Sequence, residues 1–272
     1  TSATYAPIMA SALVRKVSLT GSTRVGQQMI RDAADTMKKV TMELGGNAPL
    51  IVYDDADLET ALSVSVPTKF ANAGQVCVTA DRIFVHDSLH DAFVAGFAAR
   101  AKALKLGDGL DPSVQMGPVI NGGRRGELEG IIADAVKAGA RVVAGGGRAT
   151  AFNAGFFLEP TVLADVTDDM RVFAEENFGP IAAITRFRDE DEVLARANAG
   201  EMGLSAYAFT RGPDRARRTV AALKAGMVGI NSFALAASEA PFGGTRYSGM
   251  GREGGSEGIA DYLETKLAQV VF

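Results

Sequence analysis

The strongest constraint on the fold is a repeated alternation of short apolar runs with longer amphipathic stretches. The apolar runs are typical of buried strands and lie at residues 49–53, 82–86, 181–187, 205–210 and 227–231. Helical stretches separate them, at residues 57–70, 87–105, 122–138, 190–199 and 213–225. Strands that alternate with helices predict the α/β class, with a mostly parallel sheet and helices on both of its faces.

The first part of the chain repeats this pattern on a smaller scale. A strand at residues 14–20 is followed by a helix at 24–39 and by a second strand at 40–44. The chain opens at Thr1 rather than at a methionine, and it reaches a strand within its first twenty residues. We therefore expect the numbering to start inside a domain.

Composition argues against several classes of function. The 272 residues include 28 Lys and Arg against 32 Asp and Glu, a formal net charge of -4, which disfavours nucleic acid as a partner. No apolar run is long enough to cross a membrane, and the start of the chain lacks the pattern of a signal peptide. One cysteine cannot form an internal disulfide, so we expect a reducing, cytoplasmic compartment. Two histidines are too few to favour a metal site.

Two residues are candidates for chemistry, and each also has a plainer interpretation. Cys77 follows a glycine-containing loop at residues 72–76, where backbone N–H groups can approach a substrate. A free cysteine is nevertheless often buried and inert. Glu43 closes a strand just before Gly45 and Gly46, at the rim of a parallel sheet where ligands bind. Most glutamates are instead exposed surface residues.

Four glycine-containing junctions give weaker signals. Gly21-Ser22-Thr23 joins a strand to a helix, where N–H groups favour an anion, although an ordinary helix N-cap is the simpler interpretation. The segments 175–180, 241–244 and 248–253 are, on their own, consistent with tight connections. Gly21-Ser22-Thr23 does not have the G-x-G-x-x-G pattern, and no Walker motif appears in the sequence.

Six motifs in collinear order resemble the aldehyde dehydrogenase superfamily over nearly the whole chain. The spacing of 34 residues from Glu43 to Cys77 is also similar to that of the family. Residues 70–82 and 251–254 are most similar to the succinate-semialdehyde dehydrogenase branch. The motifs are Leu19-Thr20-Gly21-Ser22-Thr23, Glu43-Leu44-Gly45-Gly46, Gly74-Gln75-Val76-Cys77, Glu176-Asn177-Phe178-Gly179-Pro180, Pro241-Phe242-Gly243-Gly244 and Ser248-Gly249.

The resemblance implies an α/β catalytic domain joined to the remnant of a Rossmann-like cofactor domain. It also implies a homodimer or homotetramer in the intact enzyme, because an unpaired apolar strand at the chain end is a liability. The implied divisions are the cofactor-domain remnant at 1–44, the catalytic domain at 45–250, a C-terminal helix at 251–264 and an oligomerisation strand at 265–272.

The resemblance further implies NAD(P)-dependent oxidation of an aldehyde, with succinate semialdehyde as one candidate, to a carboxylic acid. Cys77 would be the nucleophile that forms a thiohemiacetal and then a thioester, and Glu43 would be the general base that activates water. The cofactor would be NAD or NADP, with no metal. The implied cofactor-binding residues are Gly21, Ser22, Leu44, Gly45, Glu176 and Phe178, and the implied substrate-binding residues are Phe70, Ala71 and Phe242.

This sequence departs from the branch pattern at the substrate end. Ala71 stands where the succinate-semialdehyde enzymes have an arginine for the substrate carboxylate, and Ala236 stands where they have a serine. Arg246 or an arginine upstream of this chain could replace that partner, or the substrate is not an ω-carboxy aldehyde. The family's ribose-binding lysine and oxyanion-hole asparagine are absent from these residues. We therefore expect this chain alone to bind dinucleotide poorly and to be inactive.

Two alternative functions remain open. The first is a dehydrogenase that passes the thioester to coenzyme A, which Glu43 disfavours because a positioned base promotes hydrolysis. The second is a non-catalytic binding or structural protein on the same fold. The presence of both Cys77 and Glu43 weighs against that alternative, since a site without catalysis needs neither.

Overall fold

The protein is described here by a computed structural model that covers residues 2–272. No helix in this range is long and apolar enough to cross a membrane. Short 3₁₀ turns lie at Ala71–Gly74 and Arg246–Ser248. In chain order the elements are α1 (Ser2–Ala10), β1 (Lys16–Thr20), α2 (Thr23–Ala34), β2 (Lys39–Glu43), β3 (Ala48–Val52), α3 (Leu58–Phe70), β4 (Ala80–His86), α4 (Asp87–Lys102), α5 (Gly122–Lys137), β5 (Arg141–Ala144), β6 (Thr161–Ala164), α6 (Arg171–Ala174), β7 (Ile181–Phe187), α7 (Glu190–Asn198), β8 (Ser205–Phe209), α8 (Pro213–Ala222), β9 (Met227–Ile230), β10 (Gly249–Met250) and α9 (Gly255–Ala260).

The larger of the two sheets contains the protein core. Its strands lie in the order β5-β6-β7-β4-β3-β8-β9. All neighbouring strands are parallel except β5, which is antiparallel to β6. Every residue of β3 and β8 is buried, and β4 and β7 are buried at all but one position each. Continuous apolar strands of this kind are stable when both faces of a sheet are covered, and the predicted mostly parallel α/β sheet is confirmed.

The smaller sheet joins the two ends of the chain. Its strands lie in the order β1-β2-β10, with β1 parallel and β10 antiparallel to β2. Gly249 pairs with Glu43, and the N–H of Leu44 donates to the Ser248 carbonyl oxygen over 3.0 Å. The predicted boundary at residue 250 therefore does not separate the two sheets, because β10 pairs with β2.

Side-chain caps explain where several helices begin. Asp57, Asn121 and Asp189 each precede a helix and accept a hydrogen bond from a backbone N–H in its first turn, at 2.8, 2.8 and 3.0 Å. These bonds satisfy N–H groups that have no partner within the helix. The helices that follow, α3, α5 and α7, start within one residue of their predicted positions.

Four segments differ from the prediction. Helix α1 was not expected, because its sequence contains Pro7 and has no amphipathic pattern. Helix α2 ends at Ala34 rather than 39, and Met37 then adopts a left-handed φ of 52°. The C-terminal helix spans Gly255–Ala260 rather than 251–264. Residues 267–272 form no strand within the described chain and are exposed, and their pairing with a neighbouring subunit stays a prediction.

A buried ion pair lies at the junction of α3 and β4. The Nζ of Lys69 donates to Oδ1 of Asp81 over 2.6 Å, and the two side chains are 1% and 2% exposed. The second oxygen, Oδ2, accepts the backbone N–H of Asn177 over 3.0 Å. Both charges are therefore compensated, which is the condition for keeping an ion pair away from water. The pair also ties the segment before β7 to the centre of the sheet.

We expect Lys69→Met to lower the free energy of unfolding by about 3–5 kcal/mol, because Asp81 would become an uncompensated buried charge. Urea unfolding measures the change. Combining Lys69→Met with Asp81→Asn removes both charges and keeps an acceptor for Asn177, so it should recover most of the loss. Arg217→Met, which breaks an exposed pair with Asp214, is the control and should leave stability nearly unchanged. A Lys69→Met protein as stable as the parent would contradict this account.

Candidate active site

The loop before Cys77 has an unusual backbone. Asn72, Ala73 and Gly74 have consecutive left-handed φ values of 49°, 55° and 70°. The side chain of Asn72 and that of Gln75 each donate to the other residue's carbonyl oxygen, over 3.0 and 2.9 Å, and so hold this turn. A Cβ at Gly74 would lie 2.0 Å from the Gly179 carbonyl oxygen, which explains why glycine stands there. The turn leaves Cys77 half-buried at the start of β4.

The strand end at Glu43-Leu44-Gly45-Gly46 touches the cysteine loop through its glycines. A Cβ at Gly46 would lie 2.2 Å from the carbonyl oxygen of Cys77. The smaller sheet therefore meets the larger one at the point where β2 ends and β4 is about to begin. The site lies between the carboxyl end of a strand in one sheet and the amino ends of strands in the other.

Glu43 is a buried carboxylic acid without a partner. Its side chain is 4% exposed, and neither carboxyl oxygen has a hydrogen-bond partner within residues 2–272. Burial, followed by the nearby charge of Glu253, raises the pKa of Glu43 to about 7, and Arg252 partly opposes the rise. A carboxyl group with a pKa near 7 can accept a proton at physiological pH. This property is typical of a general base in a site.

Cys77 lies close enough to two acidic groups to feel their charges. Burial, then the charge of Glu176, and to a smaller extent that of Glu43, raises the pKa of the Cys77 thiol. The backbone N–H groups of Cys77 and Val78 lower it. A raised pKa favours the neutral thiol, so a base or a positive charge nearby would assist its ionisation. The charge of Glu43 thus reaches Cys77, and the joint role of these two residues in catalysis stays a prediction.

Glu176 is fixed by the same glycine pair. Its Oε1 accepts the backbone N–H of Gly46 over 2.8 Å, and a Cβ at Gly45 would lie 2.6 Å from its Oε2. Burial raises the pKa of Glu176 to about 7, against the lowering effect of the Gly46 hydrogen bond. Gly45 and Gly46 therefore bring a strand end against both the Glu176 carboxyl group and the Cys77 backbone.

A cavity of about 740 Å³ brings together most of the predicted site residues. The predicted residues in its lining are Gly21, Ser22, Leu44, Gly45, Cys77, Glu176 and Phe178. The sequence analysis missed four others, Thr20, Gln75, Val76 and Arg124. The first three flank predicted residues and could have been found by that adjacency. Arg124 lies in a helix far along the chain, and no local pattern marks it.

Four predicted residues are not in the lining of this cavity. Glu43 is buried next to it. Phe70 is a core residue, 1% exposed, and its ring centroid lies 6.0 Å from that of Phe97, while its predicted contact with substrate stays a prediction. Ala71 is exposed outside the lining, and Phe242 exchanges backbone hydrogen bonds with Glu253.

Arg246 does not serve as a free partner for a substrate carboxylate. Its guanidinium donates to the carbonyl oxygens of Gly200, Met202 and Lys224, over 2.5, 2.5 and 3.0 Å. These bonds hold the loop before β8 and occupy the donors that a carboxylate would need. The described residues also include no cluster of three or more His, Cys, Asp or Glu that could hold a metal ion.

The cavity walls suit a ligand with anionic and hydroxyl groups. Ser22 is the N-cap of α2, and its Oγ accepts the N–H of Val25 over 3.4 Å. The positive end of this helix therefore opens into the cavity, opposite the Glu176 carboxyl group. A diphosphate fits the positive end of α2, and a sugar hydroxyl group fits the Glu176 carboxyl group. The donors and acceptors of the cavity therefore match a dinucleotide.

We expect Glu43→Gln to change the pH dependence of stability. In the unfolded chain Glu43 ionises near its ordinary pKa of 4.5, whereas in the folded protein its pKa is about 7. Between these values the folded protein keeps a proton that the unfolded chain has lost, so this contribution to stability falls as the pH rises. The variant cannot ionise, and it should match the parent near pH 4.5 and be more stable by about 3 kcal/mol at pH 8.

Urea unfolding at the two pH values measures this difference. Glu264→Gln, at an exposed position near the chain end, is the control. Its free energy of unfolding should equal that of the parent at both pH values. An advantage of Glu43→Gln that does not grow between pH 4.5 and pH 8 would contradict the raised pKa.

Gly46→Ala tests the contact between the two sheets. The added methyl group would meet the Cys77 carbonyl oxygen at 2.2 Å, so the backbone must move, and we expect a loss of about 1–3 kcal/mol or more. Gly130→Ala, in the interior of α5 with nothing within 4 Å of its Cβ position, should instead stabilise by about 0.4–1 kcal/mol. Thermal unfolding compares the two. Equal effects of the two substitutions would show that residue 46 tolerates a side chain.

Comparison with known proteins agrees with this geometry. The 3-sulfolactaldehyde dehydrogenase of Pseudomonas putida is 50% identical over 254 residues, which cover 93% of this chain and 52% of that protein. The NADP(+) succinate-semialdehyde dehydrogenase of Escherichia coli is 47% identical over 259 residues, 95% of this chain and 53% of that protein. The chain therefore spans about half the length of the curated relatives it matches.

Solved structures show the same likeness. Succinate-semialdehyde dehydrogenase from Burkholderia pseudomallei has a TM-score of 0.92 and 46% identity, over 94% of this chain and 53% of that one. The NAD+ complex of aldehyde dehydrogenase from Bacillus cereus has a TM-score of 0.90 and 39% identity, over 94% and 52%. The model of the aldehyde dehydrogenase family matches residues 1–268. This chain belongs to the aldehyde dehydrogenase family.

Proposed function

We propose that this protein oxidises an aldehyde to a carboxylic acid with NAD or NADP, through a covalent intermediate on Cys77. The observation that carries the proposal is the cavity where Cys77, Glu176 and the start of α2 meet, with Glu43 buried beside it. A nucleophile, a base and an anion-binding helix end thus lie around one space. The family membership and the similarity to two semialdehyde dehydrogenases support the same assignment.

Cys77 would act as the nucleophile. Its sulfur forms a bond to the aldehyde carbon as the carbonyl π bond breaks, and one proton ends on the carbonyl oxygen, which gives a thiohemiacetal. The proton of that hydroxyl group leaves to solvent in the oxidation step. The N–H groups of Cys77 and Val78 lower the pKa of the thiol and so favour the negative sulfur. Loss of a hydride from the same carbon leaves a thioester, and the nicotinamide, when bound, supplies the acceptor for that hydride. The half-buried position of Cys77 at the cavity wall is consistent with this role.

Glu43 would act as the general base for hydrolysis. With a pKa of about 7, it is partly ionised at neutral pH and can take a proton from water. The water oxygen adds to the thioester carbon, the carbon–sulfur bond breaks, and the sulfur leaves as the Cys77 thiolate. Neither carboxyl oxygen of Glu43 has a hydrogen-bond partner within the described residues, so a water that reaches Glu43 would meet a free acceptor.

The residues that would hold the dinucleotide are those around the cavity. Ser22 and the N–H groups at the start of α2 suit the diphosphate, and the Glu176 carboxylate suits ribose hydroxyl groups. Phe178 lines the wall with a partly exposed ring, and Leu44 and Gly45 form the wall next to Cys77. The choice between NAD and NADP and these residue roles are part of the proposal.

The substrate would be an aldehyde that also carries an anionic group. The relatives in this comparison include enzymes named for 3-sulfolactaldehyde, succinate semialdehyde and glutarate semialdehyde. Succinate semialdehyde is thus one candidate, although Ala71 and Ala236 offer a carboxylate no charge and Arg246 is engaged by backbone carbonyls. Initial rates with sulfonated and carboxylated aldehydes of different length would rank the candidates.

We propose a cytoplasmic location and a homodimer or homotetramer. A single cysteine without a disulfide partner supports the first. The exposed apolar residues of 267–272 support the second, because such a segment is stabilised by pairing with another chain. The expectation that the 272 residues alone bind dinucleotide poorly also stays a prediction.

Hydrolysis of p-nitrophenyl acetate tests Cys77 and Glu43 without a dinucleotide, which suits a chain that spans about half the length of its relatives. The ester acylates Cys77 with release of p-nitrophenolate, and water activated by Glu43 then releases acetate. We expect Cys77→Ser to lose the burst of p-nitrophenolate. Glu43→Gln should keep the burst, accumulate acetylated protein by mass spectrometry and lose turnover by about 10²–10⁴-fold.

Glu59→Gln, at an exposed residue of α3, is the control and should behave as the parent. A burst that survives in Cys77→Ser would contradict the role of Cys77, and unchanged turnover in Glu43→Gln would contradict the base. Adding coenzyme A separates hydrolysis from acyl transfer. Turnover that requires coenzyme A would favour the acylating alternative.

A further inference from the structure

The peptide group of Asn177 is held from two sides by opposite charges. Its N–H donates to Oδ2 of Asp81 over 3.0 Å, and its carbonyl oxygen accepts from Nη2 of Arg124. Asp81 is itself paired with Lys69, so the acceptor is a fully compensated buried carboxylate. The Asn177 side chain is also fully buried and donates to the Val172 carbonyl oxygen over 2.7 Å. This residue is therefore fixed at its N–H, its carbonyl oxygen and its side-chain amide.

Asn177 lies between the two residues that the proposed function assigns to the dinucleotide. Glu176 precedes it and Phe178 follows it, and Phe178 has a left-handed φ of 41°. A left-handed backbone costs a non-glycine residue about 1–3 kcal/mol. It persists where contacts with the surrounding structure hold the residue in that conformation. The bonds to Asn177 hold this segment, because they fix the peptide group between Glu176 and Asn177 and the one between Asn177 and Phe178.

Arg124 is the member of this network that borders the cavity. It lines the same space as Cys77 and Glu176. Its Nη1 donates to Oε2 of Glu127 over 2.5 Å, which orients the planar guanidinium toward the Asn177 carbonyl group. Glu127 is one turn further along α5, so the arginine is held by its own helix and reaches across to a different segment.

We propose that Arg124 is a positioning residue, which fixes the Glu176–Phe178 segment through the Asn177 carbonyl group and places a positive charge beside the Glu176 carboxyl group. The inference rests on the proposed function for what Glu176 binds. The contacts themselves are independent of it. Arg124 would act on ligand binding through Glu176 and need not contact the ligand.

The charges around Glu176 give this proposal an electrostatic signature. Burial is the largest influence and raises the pKa of Glu176, and Asp81 raises it further. The Gly46 N–H, Arg124 and Lys69 lower it, and Cys77 faces the same carboxyl group. Arg124 lowers the pKa of Glu176 more than Lys69 does, so Arg124 is the cation whose removal should change the titration of Glu176 most.

The test compares Arg124→Met with Arg125→Met. Both arginines lie at the start of α5 and are 19% exposed, but Arg125 faces Glu129 and the Phe156 ring and is not in the cavity lining. Glutamate labelled with ¹³C at the side-chain carboxyl carbon allows NMR titration of Glu176, with Glu176→Gln and Glu43→Gln to assign the two signals that titrate near pH 7.

We expect Arg124→Met to raise the pKa of Glu176 by at least about 0.5 and to speed amide hydrogen exchange at Asn177 by about 10-fold. Arg125→Met should change neither. Arg124→Lys keeps the positive charge but not the planar guanidinium group. The pKa of Glu176 should therefore return closer to its parent value than the amide exchange rate of Asn177 does. The Glu43 titration is an internal reference and should stay constant in all three variants.

An Arg124→Met protein in which both the Glu176 titration and the Asn177 exchange rate match the parent would overturn the proposal. Equal changes in Arg125→Met would overturn it as well, since they would show a general loosening of α5. Neither measurement needs an aldehyde or an ester. A failure of the p-nitrophenyl acetate test is therefore distinguishable from a failure of this inference.

Discussion

The contact of Gly45 and Gly46 with two other segments determines the geometry of the site. A side chain at residue 46 would overlap the Cys77 carbonyl oxygen, and one at residue 45 would overlap the Glu176 carboxyl group. Because these residues lack a Cβ, the end of β2 comes closer to the start of β4 and to the segment before β7 than a side chain would allow. The cavity, the buried position of Glu43 and the hydrogen bond from Gly46 to Glu176 all depend on that approach.

Close approach also removes water, and burial is the largest influence on the pKa of each acidic group in the site. It raises the pKa values of Glu43 and Glu176 to about 7 and that of Cys77 above its ordinary value. The folded protein thus accepts a cost in stability to keep carboxyl groups that can exchange protons near neutral pH. Lys69 and Asp81 lie under the same site as a compensated pair, so they add rigidity without a free charge.

The fold was predictable from the sequence because its strands are continuous apolar runs separated by capped helices, and these signals are local. Seven of the predicted site residues line one cavity because they belong to short motifs at strand or helix ends. Phe70 and Arg124 were beyond local reasoning. Whether the Phe70 ring faces core or cavity depends on the rotation of α3, and Arg124 reaches the site through tertiary packing alone.

The antiparallel pairing of Gly249 and Met250 with β2 has a consequence for how the protein folds. The backbone at Glu43 acquires its last neighbour from a segment near the other end of the chain, and Leu44 bonds to Ser248 there. Closing so long a loop carries a large entropic cost, and native contacts between distant positions form slowly. We therefore expect Glu43 to reach its final position late in folding, after the central sheet has assembled.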